Sequence, residues 1–267
     1  MTIRTSNLRS LITNEHDVLT ECGWISIDIM SESIRVACMD NGIISYKNPT
    51  GCFSRYYIGK LISLDNYHAS LNMSYTHEHL SGDDGTNTIV NISSVDKKAN
   101  RKVTVDECYI KAMLQGTSLK NKYIISDDIA DIIDEKMKYI NNVFGSTFKN
   151  PFIDKSAHTV IPGDVLDFSP RLKSSFLKGL VNKGFYLTKN INTRDIVMKL
   201  AVEAGFATMF NSAFNHWVVI IYNINSIHID KNNIYSSEYN GEMYGLCVNS
   251  DYYCVRRHGR VSWLKSS

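Results

Sequence analysis

The chain has 267 residues, 43% of them apolar and 21% charged, which suits a globular protein able to bury a substantial core. Its 29 basic and 27 acidic residues leave a formal charge of +2, and Lys and Arg do not cluster on one segment, so no nucleic-acid-binding surface is expected. No window offers the roughly 18 uninterrupted apolar residues of a membrane span, so none is expected.

The opening "MTIRTSNLRSLITNEHD" lacks the apolar run and small-residue cleavage site of a signal peptide, which predicts a reducing, cytoplasmic setting. The six cysteines, at 22, 38, 52, 108, 247 and 254, are scattered without a dense framework, as free thiols would be. Residues 24–38 carry two periods. Trp24, Ile27, Met30 and Ile34 share a helical face, while Ile25, Ile27 and Ile29 alternate as in a strand; the helix is the expectation. "GIISY" at 42–46 and "NTIVNISSV" at 87–95 predict strands, with "HEHLSGDDGTN" as a polar loop between them.

The middle third predicts helices. "SDDIADIIDEKMKYINNVF" opens on Ser126 and acidic residues, then spaces Ile129, Ile132, Ile133, Met137, Ile140 and Val143 along one face. Residues 149–171 contain prolines and suit a linker or a long surface loop. Thr193 is positioned to cap a second helix through "RDIVMKLAVEAGF". After it, "NHWVVIIYN" at 215–223 is a buried-strand run, and the Tyr-, Val- and Asn-rich tail suits an antiparallel sheet. A helical front on a sheet-rich back is an α+β class, expected as one catalytic domain over 1–267 with an insertion subdomain at about 45–125.

Metal chemistry finds little support. Cys247, Cys254 and His258 supply three of the four ligands of a tetrahedral zinc site, without a Cys-x-x-Cys pair. His77 and His79 are two apart, not at the four-residue spacing of a zinc-binding helix. Neither a metal nor a cofactor is expected.

Thiol chemistry fits better. Cys22 at the start of a helix would have its thiolate stabilised by free N–H groups and the helix dipole, and Gly23 would let a substrate backbone approach. Amides at that turn suit an oxyanion. His216, at the head of "HWVVIIY", is the best-placed base, with Trp24 and Trp217 shaping a cleft. If residues 223–226 form a hairpin turn, Asn233 lies opposite His216 and would orient it. Asp230 takes that role with a shifted turn, and Asn14 or Asp17 upstream of Cys22 are alternatives for the histidine or the oxyanion.

"CGW" opening an apolar element, with "HW" opening a late apolar strand, resembles papain-like cysteine proteases, most of all the ovarian-tumour-type papain-like proteases of nidoviruses. The resemblance implies a papain-like fold with Cys22 as nucleophile, His216 as general base, and Asn14 matching an asparagine that some relatives carry before the cysteine. It further implies a polypeptide substrate, a viral polyprotein or a ubiquitin-like modifier, met in a host cytoplasm. The cysteine-to-histidine gap of 216 − 22 = 194 residues requires a large insertion.

Two other classes compete with a protease. Glu238 and Glu242 in "SSEYNGE" suit a nicotinamide-dependent ADP-ribosyltransferase effector. The many tyrosines suit a non-catalytic binding module. A thiol probe separates the three, since only protease chemistry predicts selective labelling of Cys22.

Overall fold

The computed structural model describes residues 11–74, 87–90, 161, 163–181, 185–213, 216–223, 226–229 and 231–266. In chain order the first strands are β1 (Asp17–Thr20), β2 (Gly23–Ser26), β3 (Val36–Asp40), β4 (Ile43–Lys47), β5 (Gly51–Asp65), β6 (Ser70–Ser74) and β7 (Asn87–Val90). Helix α1 (Pro170–Leu180), β8 (Phe185–Thr188) and helix α2 (Ile191–Glu203) follow. The chain then runs through β9 (Ala207–Ala213), β10 (His216–Tyr222), β11 (Ser226–Ile229), β12 (Ile234–Cys247), β13 (Tyr252–Arg257) and β14 (Arg260–Lys265). The helix expected from Ser126 onward lies outside the described residues.

This architecture corrects the α+β papain-like expectation. The described residues are mostly antiparallel strand, with two α-helices, and no helical front packs on the sheet. The overturning segment is 24–38, which forms β2, a 3-10 turn at Ile27–Ile29, and then β3. Met30 N–H donates to the Ile27 carbonyl and Ile34 N–H to the Ser31 carbonyl. Two successive i,i+3 turns thus reproduce the three-to-four spacing of Ile27, Met30 and Ile34 without a continuing helix.

Two compact units divide the chain. One comprises Met1–Val95, Phe206–Met209 and Asn223–Ser267. Here β2, β1, β3, β13 and β14 are successive neighbours, with β4 on β3. Ile12, Val18, Ile27, Cys38, Leu64, Leu71, Tyr253 and Leu264 bury together beneath them, each large aliphatic side chain contributing roughly 1.5–3 kcal/mol. Residues 45–74 run through β4, β5 and β6 of this unit.

The second unit comprises Asp96–Gly205 and Phe210–Tyr222. In it β10 pairs with β8, Trp217 opposite Thr188 and Ile220 opposite Phe185, as its Val- and Ile-rich run predicted. Helix α1 begins on Pro170 after Ser169, whose hydroxyl accepts from Leu172 N–H at 3.4 Å, the first-turn position where a missing N–H costs nothing. Helix α2 is capped by Asn190, whose side chain accepts from Thr193 N–H at 3.1 Å; Thr193 therefore lies inside the helix it was expected to cap. Among the described residues no helix is long and apolar enough to cross a membrane.

Candidate functional site

Cys22 sits at the tip of a two-residue hairpin, where Thr20 pairs with Gly23. Gly23 has φ +123°, a region open to glycine and costly for other residues, so its role is to turn the chain. The Thr20 hydroxyl closes the tip, donating to the Gly23 carbonyl at 2.7 Å and accepting from Cys22 N–H at 3.2 Å. Cys22 is exposed on a strand connection, without the helix dipole the sequence led us to expect.

Trp24, on β2, lies under the Arg256 guanidinium at 4.5 Å, and Arg256 is anchored to the Asp17 carboxylate at 2.7 Å. Asn14 is exposed, three residues before β1. His216 and Trp217 open β10, in the other unit from Cys22. Trp217 stacks edge-on with Phe210, and Arg194 lies over both rings. Asn233 ends a 3-10 turn at Lys231–Asn233, and Asp230 lies outside the described residues. The hairpin that would set Asn233 across from His216 does not form, because β10 pairs with β8 while β11 pairs with β7.

A buried polar network that the sequence did not disclose holds the first unit together. His16 is fully buried, its Nδ1–H donating to the Thr13 carbonyl at 2.9 Å and its Nε2 accepting from Asn72 N–H at 3.3 Å. Acceptor on one side and donor on the other fix the neutral tautomer, and burial drives its pKa down to about 3. Beside it, Arg257 donates to Glu15 at 2.9 Å and to the Ser70 hydroxyl at 2.7 Å. Burial raises the Glu15 carboxyl, but the Arg257 hydrogen bond and charge outweigh it and hold the group below its ordinary range. With Ser70 fully buried and both His16 nitrogens occupied, this network braces the fold and leaves no reachable nucleophile.

Apolar surface is exposed instead on the long ribbon of β5 and β12, paired from Gly51 opposite Cys247 to Leu64 opposite Ile234. Alternation puts Cys52, Tyr56, Ile58 and Leu64 on one face of β5. The two ends of that face join the core through Cys52 with Leu246 and Leu64 with Ile234. Its middle does not: Tyr56 is 62% and Ile58 73% exposed. The opposite face packs Phe53, Tyr57 and Tyr239 around Leu11, Leu61 and Met243. Among the described residues β6 pairs with β5 only along Leu61–Asp65, so the edge of β5 from Gly51 to Lys60 carries no strand.

A repeated Tyr-x-Gly-x device stiffens the ribbon's middle. Tyr57 donates to the Lys60 carbonyl and Tyr239 to the Glu242 carbonyl, both at 2.9 Å. Each ring folds over the glycine two residues on, where a Cβ would stand 2.8 Å from the Tyr57 hydroxyl at Gly59 and 3.0 Å from the Tyr239 hydroxyl at Gly241. Tyr57 also pairs with Gly241 and Tyr239 with Gly59, so the two copies interlock. Gly59→Ala should displace the Tyr57 ring and break its hydrogen bond, lowering stability by about 1 kcal/mol. Faster amide exchange along β5 and β12 would report it, and unchanged exchange would show that the ring is not held by the glycine.

No family model matches the chain, and no curated protein does. Among solved structures it is similar to a splice-inactive variant of the AceL NrdHF class 3 split intein, with 10% identity and a TM-score of 0.38, over 96% of this chain and 98% of that one. A likeness that loose assigns neither a fold nor an activity.

Proposed function

We propose that the protein is a polypeptide-binding module and that the β5–β12 ribbon receives an extended segment of its partner. The observation that carries this reading is the exposure of Tyr56 and Ile58 in the middle of a face whose two ends are core, beside an edge with no strand among the described residues. An open edge supplies a row of backbone donors and acceptors, and flanking apolar side chains supply the specificity pockets of strand addition. A ribbon stiffened in advance loses little freedom on binding.

Selection from a random octapeptide library on the full chain tests this. Enriched peptides should bind about tenfold more weakly to a Tyr56→Ser, Ile58→Ser double variant, whose folding should be intact because both side chains are exposed. Failure to enrich any peptide, or binding indifferent to the double variant, would overturn the reading. The protease alternative has its own signature: Cys22→Ala would abolish hydrolysis of a fluorogenic peptide. A binding module predicts no such turnover, and ordinary alkylation of Cys22 as an exposed thiol.

A further inference from the structure

At the foot of the ribbon's open face lies a cavity of about 180 Å³, walled by Ile27, Asp28 and Met30 on one side and by Cys52, Ser54 and Tyr244 on the other. Ile29, within the same turn, is 68% exposed, and the surface open inside the cavity is mostly polar. Carboxylates surround it. Tyr244 donates to Glu242 at 2.9 Å, and its pKa is raised by that hydrogen bond first, with the Asp28 charge among the lesser causes. The Cys52 thiol is raised by burial and then by the Glu32 charge. Farther along, Glu242 stands opposite Tyr56 and Glu238 opposite Lys60. Four carboxylates therefore border this apolar strip, against the single ammonium of Lys60 on the ribbon face.

We propose that the strip takes an extended polypeptide segment that combines branched aliphatic residues with lysine or arginine. The aliphatic side chains cover Tyr56 and Ile58, and the long basic side chains lie along that apolar surface with their charged heads at Glu238, Glu242 and, at the polar mouth of the cavity, Asp28. Long basic side chains bury their stems while keeping the head at a polar rim. An acidic segment meets like charges there and is rejected, which is how a charged rim selects among partners. This inference rests on the polypeptide-binding reading above.

Three fluorescein-labelled octapeptides test it by anisotropy on the full chain, one of lysine and valine, one of glutamate and valine, one of lysine and serine. The lysine–valine peptide should bind, and the other two about tenfold more weakly or worse. Its affinity should fall several-fold between low and moderate salt, because a rim of exposed charges is screened. Asp28→Asn with Glu238→Gln should weaken it about tenfold, and the Tyr56→Ser, Ile58→Ser double variant at least as much. Preference for the glutamate–valine peptide, lost in the double variant, would overturn the charge selection while leaving the ribbon as a binding surface. Lysine–valine binding that ignores both variant pairs, or no binding, would overturn the inference; the octapeptide library then decides separately whether the ribbon binds polypeptide.

Discussion

Lowering the pH from 7.5 to 4.5 should cost the first unit about 3 kcal/mol through His16 alone. The imidazole is fully buried between the Thr13 carbonyl and the Asn72 amide, and burial takes its pKa from an ordinary 6.5 to about 3. In the unfolded chain it takes up a proton below about 6.5; in the folded protein it refuses one until the pH nears 3. The unfolded state then binds more protons, so the contribution is fully present above 6.5 and lost as the pH falls. The expected slope is about 1.4 kcal/mol per pH unit for one such group. Glu15 and Asp40, both held below their ordinary pKa values, act in the same direction. Their loss begins below the carboxylate values of 4.5 and 3.8, so among the groups of the described residues with a shifted pKa the interval from 6.5 to 4.5 belongs to His16.

Amide exchange in β1 and β13 measures this unit by itself. Protection should decline through that interval in the wild-type protein and stay level in His16→Gln, which starts from a lower stability because its fit to the two backbone partners is poorer. A level wild-type profile, or a slope that survives in the variant, would show that His16 is not the group responsible.

How far the sequence disclosed the structure depended on whether a local pattern had one structural meaning. "GIISY" and "HWVVIIY" formed β4 and β10, since a short β-branched run between turn residues is hard to satisfy otherwise. Helix α2 was equally plain, and its cap was displaced by only three residues because Asn190 and Thr193 are both cap formers. The segment 24–38 misled because two i,i+3 turns carry the period of a helix. In that misreading Cys22 stood at a helix start; in the fold the positive φ of Gly23 belongs to a hairpin, so the dipole expected to activate Cys22 is missing at that position. The ribbon escaped notice for a different reason. Its middle has apolar residues on both faces, Tyr56 and Ile58 on one and Tyr57 on the other, which erases the alternation that marks a half-buried strand. The two Tyr-x-Gly spacings at 57–59 and 239–241 were its legible trace. The buried network was beyond any local pattern, since Arg257 meets Glu15 from 242 positions away.

The second unit should respond most to loss of one carboxylate. Glu203, at the end of α2, accepts from Lys173 of α1 at 2.7 Å, and Lys199 one turn earlier on α2 stands 3.9 Å from its other oxygen. All three side chains are no more than a tenth exposed. The Lys173 ammonium, held out of water against that carboxylate, depends on it, because taking such a charge into the interior costs several kcal/mol unless an opposite charge and hydrogen bonds replace its hydration. Glu203→Gln keeps the shape and one acceptor oxygen but removes the charge, and should destabilise the α1–α2 pair by about 3–5 kcal/mol. Lys173→Met in the same background should restore much of that loss, since a thioether of similar length fills the space and removes the charge stranded on Lys173. Comparing the single and double variants isolates the coupling of the two side chains. Amide exchange in α2 gives the measurement. A cost below about 1 kcal/mol for Glu203→Gln, or no recovery in the double variant, would mean that packing of the helices, rather than this ion pair, fixes their contact.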